Sequence, residues 1–348
     1  MKKMLFGALA MAALVGCTLQ PKYTISGQVA DLEGTMYLIE DEQVIDSVEV
    51  KEGAFTLKGE LNGPKIVTVA NNVNPRAAQV GARFVAEEGE LVLESVDQGY
   101  RVVGSPSNDA SNAYGDAARA LMQEFYAEGT TDERRAAIEE EYAALSENAL
   151  LDNTDNFFGV SMLMNASYNK SAEEMEELVA LFSPEMQETE LMGQVKAQLE
   201  KKLRTAVGQP YIPFEQADKD GNAVTMQSII ENPANKYVLI DFWASWCGPC
   251  MAEVPALKAA YDAYHKKGFE IFGVSLDNNK EAWLAAIENK ELNWPHVSDL
   301  QGWKNAAADL YGVRSIPANF LIDCATGQIV ATGLRGEEVK TKVAELLK

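Results

Sequence analysis

Residues 237 to 243 read Tyr-Val-Leu-Ile-Asp-Phe-Trp, and shortly after this apolar run come Cys247-Gly248-Pro249-Cys250. A run so uniformly apolar suits a strand buried on both faces, which requires a sheet with helices on either side. The cysteines fall where that strand stops and a helix begins. Two thiols at this spacing can close a small disulfide and reopen it, or form half of a zinc site. Zinc would want two more thiolates or imidazoles, and the histidines are only His265 and His296. One falls on the helix after the cysteines and the other follows Trp294-Pro295, so both are read as surface or structural residues. No metal is expected.

The chemistry of the pair follows from its place at a helix start. A thiolate attacks a disulfide, so one cysteine must be held anionic. The unpaired N–H groups and positive dipole end of a first helical turn favour that charge at Cys247, and Pro249 is tolerated there because its missing N–H would go unpaired anyway. Cys250, one turn in, is more shielded. Cys247 is thus the expected nucleophile and Cys250 the thiol that resolves a mixed disulfide.

Patterning along the 348 residues indicates a multi-domain chain. Residues 1–17 have a basic start at Lys2 and Lys3, an apolar run from Met4 to Val15, and Leu14-Val15-Gly16-Cys17 at the end. From 18 to 105, short alternating runs such as Tyr23-Thr-Ile-Ser-Gly-Gln-Val and Ala54-Phe-Thr-Leu-Lys, parted by turn glycines, predict an antiparallel β domain. From 106 to 205, apolar residues three or four apart, as at Ile138, Tyr142, Leu145 and Ala149, predict four or five amphipathic helices. The acidic runs Glu139 to Glu141 and Glu173-Glu174 read as solvated helical faces. From 206 to 348, strands alternate with helices, as in an α/β domain. Within it Asp218-Lys-Asp-Gly-Asn222 resembles half a calcium loop but lacks the bidentate acid that should follow, and is read as a hairpin turn.

The balance of 30 Lys+Arg against 52 Asp+Glu, a formal charge of -22, excludes nucleic acid as an expected partner.

Three resemblances add to this. The leader resembles a bacterial lipoprotein signal, which implies cleavage before Cys17, lipid attachment to its thiol, and a cell-envelope, periplasm-facing protein held to the inner or outer membrane. The β-rich segment resembles a domain of unknown function that precedes thioredoxin modules in some bacterial lipoproteins. Residues 206–348 resemble the thioredoxin superfamily: Trp246-Cys-Gly-Pro-Cys250 reproduces its active-site motif, and Ser315-Ile316-Pro317 matches its cis-proline loop. That resemblance implies a thioredoxin fold, a cis Ile316–Pro317 bond, and substrate contacts at Trp246, Gly248, Pro249, Ile316 and Pro317. It also implies that Asp241 is a buried carboxylate beneath Cys250, with a raised pKa that suits it to move that thiol's proton. Glu253 and Pro255, with the lead-in at 208–214, look like the TlpA/ResA branch; Glu253 either tunes the site or faces solvent, and Pro255 should kink the helix.

The function implied is an exported thiol-disulfide oxidoreductase. It would reduce or isomerise disulfides of exported proteins, draw electrons from a membrane thiol donor, and need no cofactor beyond the Cys247–Cys250 disulfide. A peroxiredoxin-like thiol peroxidase is the alternative enzyme, although the residues before Cys247 lack the Thr and Pro that peroxide activation requires. A scaffold lipoprotein with a secondary redox module is the alternative of another class. Cys324, in Asp323-Cys-Ala-Thr-Gly327, is expected at a hairpin turn away from the cysteine pair.

Overall fold

Alternation of side chains along short strands fixes the first part of the chain. The computed structural model describes residues 22–168 and 170–348, so the expected leader 1–17, with Cys17, lies outside the described residues. Two compact units divide the chain, one running to Met162 and the other covering Leu163–Lys348.

In the first unit, β1 (Lys22–Gln28), β2 (Thr35–Glu40), β3 (Gln43–Glu49), β4 (Ala54–Glu60), β5 (Lys65–Ala70), β6 (Gly81–Ala86), β7 (Gly89–Val96) and β8 (Gly99–Val103) form two four-stranded sheets. Their orders are β4-β1-β7-β8 and β3-β2-β5-β6. Inward residues of the two sheets share one core, with Tyr23, Ile25, Phe55 and Leu57 from the first and Met36, Leu38, Val69 and Phe84 from the second. Pairing is antiparallel as expected except between β1 and β7, which run parallel.

Helices follow from side-chain caps. Ser105 opens α1 (Pro106–Phe125) and Thr131 opens α2 (Asp132–Leu151), each accepting from a backbone N–H of the first turn. The Arg134 guanidinium joins them, donating to Glu124 at 2.7 Å and to Glu141 at 2.5 Å. Asn108, near the start of α1, donates to the Val85 carbonyl at 2.8 Å and accepts from the Val85 N–H at 2.9 Å. This ties α1 to the β unit, and the helical stretch 106–205 is accordingly shared between the two units. After α3 (Phe157–Ala166) come α4 (Ala172–Ala180), with a Ser171/Glu174 capping box, α5 (Pro184–Gln187) and α6 (Glu190–Arg204). The described residues of the stretch thus hold six helices where four or five were expected. The extra one is α5, a single turn between the Ser183 cap and Glu188, too short to show a repeating pattern.

In the second unit α6 is bound to the α/β body: Gln198 donates to the Gly312 carbonyl at 2.7 Å, and Lys201 pairs with Asp309 at 2.5 Å. The body is a seven-stranded sheet built from β9 (Glu215–Asp218), β10 (Ala223–Thr225), β11 (Tyr237–Trp243), β12 (Phe269–Ser275), β13 (His296–Ser298), β14 (Ala318–Asp323) and β15 (Gln328–Thr332), in the order β10-β9-β13-β12-β11-β14-β15. Strands β11, β12 and β13 run parallel, and the rest pair antiparallel. Its helices are α7 (Met226–Ile230), α8 (Gly248–Tyr264), α9 (Lys280–Lys290), α10 (Ala306–Leu310) and α11 (Glu337–Leu346). This is the thioredoxin-like architecture expected from 206 onward. Every residue of β12, and all but the first of β11, is buried, as central strands of a covered sheet must be. The buried Tyr311 ring packs on Phe242 and Phe320, and its hydroxyl donates to the Ile212 carbonyl at 2.9 Å and accepts from the Ile212 N–H at 3.0 Å. The Asp218 turn closes the β9–β10 hairpin, its carboxylate accepting from the N–H groups of Asp220 and Asn222. Pro255 lies inside α8, and the helix runs on past it to Tyr264.

Candidate redox site at the end of strand β11

Strand β11 carries the chain to Trp243, and a short turn then places Cys247 as the N-cap of α8. Ser245 holds that turn. Its hydroxyl donates to Asp277 at 2.6 Å and its N–H to the same carboxylate at 3.0 Å, while Ser275 at the end of β12 donates to Asp277 at 2.8 Å. Asp277 is buried, so the turn before the cysteines is fixed to the neighbouring strand through an interior carboxylate.

Cys247 and Cys250 are joined as a disulfide, with Cα atoms 5.2 Å apart. The Cys247 sulfur accepts from the Cys250 N–H at 3.1 Å. That contact is the one a thiolate would use, since the first helical turn offers N–H groups with no partner inside the helix. The Ile316 carbonyl oxygen stands 3.8 Å from the same sulfur, and the Ile316–Pro317 bond is cis. Gly248, Pro249 and Trp246 are exposed beside the pair, and Ile316 and Pro317 are partly so. The residues expected to touch substrate therefore lie together on one open rim. Trp246 and Trp303 are each about half exposed, with ring centroids 5.9 Å apart, and form an aromatic surface there. Trp303 lies in a short turn with no motif around it to mark it in sequence.

Below the disulfide, Asp241 is buried on β11 opposite Asn319 of β14. Burial pushes its carboxyl up to about 7; the Arg335 charge works against that rise and the Glu253 charge adds to it. The Arg335 guanidinium donates to the Pro317 carbonyl at 2.6 Å and to the Leu334 carbonyl at 3.0 Å. Glu253 is half-buried and accepts from the Gly336 N–H at 2.5 Å, so it is held at the start of α11 instead of pointing to solvent. Arg335 was not singled out in the sequence, because its place depends on a loop folding back from β15.

The remaining candidates separate clearly. Cys324 follows β14 and its N–H donates to the Lys236 carbonyl at 2.9 Å, beside the first residue of β11, whereas the disulfide stands beyond the last. Burial pushes its thiol up to about 11. His265 closes the helical stretch after the cysteines, partly exposed. His296 is buried on β13. Among the described residues no group of three or more His, Cys, Asp or Glu is gathered as a metal site.

Comparison with known proteins agrees with this geometry. Residues 207–331 match the AhpC/TSA family, and residues 23–111 match a domain of unknown function, DUF4369. The chain is 28% identical to thiol-disulfide oxidoreductase ResA of Bacillus thuringiensis subsp. konkukian over 42% of its own length and 80% of that protein. Against the ResA of Geobacillus thermodenitrificans it is 32% identical, over 35% of this chain and 67% of that one. The chain belongs to the ResA-like thiol-disulfide oxidoreductases of the thioredoxin family. A thioredoxin domain of a thiol-disulfide oxidoreductase from Bacteroides vulgatus is similar in structure as well, at 33% identity and TM-score 0.38, covering 41% of this chain and 99% of that domain. In this ResA-like oxidoreductase, the Cys247–Cys250 disulfide and the cis Ile316–Pro317 bond both fall within the matched segment 207–331.

Proposed function

We propose that the protein is an exported, lipid-anchored oxidoreductase that reduces or isomerises disulfides of envelope proteins by cycling Cys247 and Cys250 between dithiol and disulfide. In the reduced form the Cys247 thiolate attacks a substrate disulfide. A bond forms between Cys247 and one substrate sulfur, and the other sulfur leaves as a thiolate that takes up a proton. Cys250 then gives its proton to Asp241 and attacks the Cys247 sulfur, which releases the second substrate thiolate. The substrate gains two electrons and the protein ends as the Cys247–Cys250 disulfide. A membrane thiol donor restores the dithiol, and the two sulfurs are the whole redox group.

The observation that carries this reading is the position of the Cys247 sulfur, 3.1 Å from the Cys250 N–H and facing the Ile316 carbonyl on the open rim. An extended substrate segment would pair with the backbone at Ile316, a form of strand addition, with Trp246, Gly248, Pro249 and Pro317 around it. Arg335 and Glu253 would adjust the charge around Asp241. The peroxidase alternative is weaker, since the hydroxyl nearest before Cys247, on Ser245, is committed to Asp277. The β unit, without an evident catalytic cluster among its described residues, serves as a docking or spacing module, and Cys17 carries the lipid.

Replacing Cys247 with Ala should abolish reduction of a protein disulfide by the purified protein, and replacing Cys17 with Ala should move the protein out of the membrane fraction of its host. Undiminished reductase activity in the first variant would end the redox reading, and unchanged partition in the second would end the lipid anchor.

A further inference from the structure

A small cavity lies beneath the disulfide, lined by Asp241, Cys250, Trp243, Trp294 and His296 among others, with a volume of about 10 Å³. That is the room one water needs. His296 opens β13 with its side chain in the interior, and neither ring nitrogen has a hydrogen-bond partner. The Leu292 carbonyl lies near enough to favour the charged ring but meets neither nitrogen in bonding geometry.

The surroundings were shaped to admit this ring. A Cβ on Gly273 of β12 would come within 2.3 Å of Nδ1, so that strand leaves the space open by carrying no side chain. Trp243 and Trp294 flank the imidazole, with centroids at 5.3 and 5.7 Å. The titratable groups that share its cavity are Asp241 from β11 and Cys250 from α8. Tyr261 of α8 packs on Trp294 at 5.4 Å, and its hydroxyl is engaged with Glu270 of β12. A buried polar atom without a partner costs about 1–3 kcal/mol, and two such atoms on one ring call for an explanation.

We propose that His296 is a positioning residue whose ring holds one water against Asp241, keeping the carboxylate hydrogen-bonded and directed at the Cys250 sulfur. This rests on the redox reading above. Burial pushes the imidazole down to about 3, so the ring stays neutral and serves as a donor and acceptor of hydrogen bonds, not as the base. In the resolving step the Cys250 S–H proton passes to the Asp241 carboxylate, directly or with the water handing one proton on as it receives another. The Cys250 sulfur bonds to Cys247, the bond from Cys247 to the substrate sulfur breaks, and the substrate leaves as a thiolate. His296 neither gains nor loses a proton overall.

The test is the pH profile of that single step. A mixed disulfide is formed on Cys247 with a small aromatic thiol, and thiol release is followed by stopped flow. His296→Phe keeps an aromatic ring but removes both nitrogens. It should raise the midpoint of the profile by about one pH unit, as loss of one hydrogen bond to the carboxylate requires, while the rate of the initial attack by Cys247 stays unchanged. His296→Gln, which retains a polar end, should restore much of the shift. An unchanged midpoint in folded His296→Phe overturns the inference alone, as does a shift in His296→Gln as large as that in His296→Phe. Should the Phe variant fail to fold, imidazole ¹⁵N shifts in the reduced, unsubstituted protein decide: His296 should remain neutral and show a step at the Asp241 midpoint, and the absence of that step overturns the proposal. If the unsubstituted protein forms no mixed disulfide, the redox reading falls and this inference falls with it.

Discussion

Asp241 brings stability and chemistry together at one carboxyl. Its pKa is about 7 in the fold against an ordinary 3.8, so the folded form keeps a proton that the unfolded form has already released between those values. Stability contributed by this group is greatest at acid pH and is lost as pH rises through about 4 to 7, after which it stays level. His296 works in the opposite sense: held down at about 3, it resists the proton that the unfolded chain takes up near 6.5, so its contribution is lost on acidification. In the window where both apply the two slopes oppose each other. Asp241→Asn should therefore be favoured over the natural protein by a margin that grows from pH 4 to pH 7, on the order of 4 kcal/mol in total, measured by urea denaturation of the oxidised proteins at several pH values. A margin that does not change with pH would contradict the raised carboxyl. Asp241 was legible in the sequence through the resemblance to the thioredoxin family, which implies a buried carboxylate at that place in the strand. His296 and Arg335 were not, since the burial of the one and the reach of the other come from β13 and the loop after β15 closing over the site, which no local pattern records.

Among the elements, the turn between β11 and α8 sets the position of the nucleophile. Asp277, itself buried, alone receives the partly buried Ser245 N–H and hydroxyl and the buried Ser275 hydroxyl. Asp277→Ala should cost about 2–3 kcal/mol through donors left unpaired and should slow disulfide reduction, because Cys247 loses its fixed approach; thermal melting and a reductase assay check the two effects separately. The strand–helix alternation of the α/β body was readable from the apolar runs, and the cap and proline at 247 and 249 marked the start of α8. What stayed hidden was long-range or very short: the parallel pairing of β1 with β7 joins segments far apart in the chain, and α5 is a single turn. The parallel pair shows why a run of alternating residues predicts a strand without predicting its neighbour.

At the scale of the whole molecule, a redox module of about 140 residues is carried behind a β unit and a set of helices, on a chain with strong negative charge. The sequence marked the module because its motif, Trp246 to Cys250 followed by Ser315-Ile316-Pro317, concentrates the chemistry in few residues. The first unit offered only alternation, from which a fold is readable and a role is not. The central claim is that Cys247 and Cys250 form a reversible couple on the reducing side of the family. Equilibrating the purified protein against glutathione and dithiothreitol redox series, with the Cys247–Cys250 state read by mass after alkylation, tests it most directly. The account predicts a two-electron transition at roughly -270 to -200 mV, the range of reducing relatives, with Cys324 remaining a thiol throughout. A pair that does not titrate reversibly, or one that titrates near about -120 mV as an oxidant would, contradicts it.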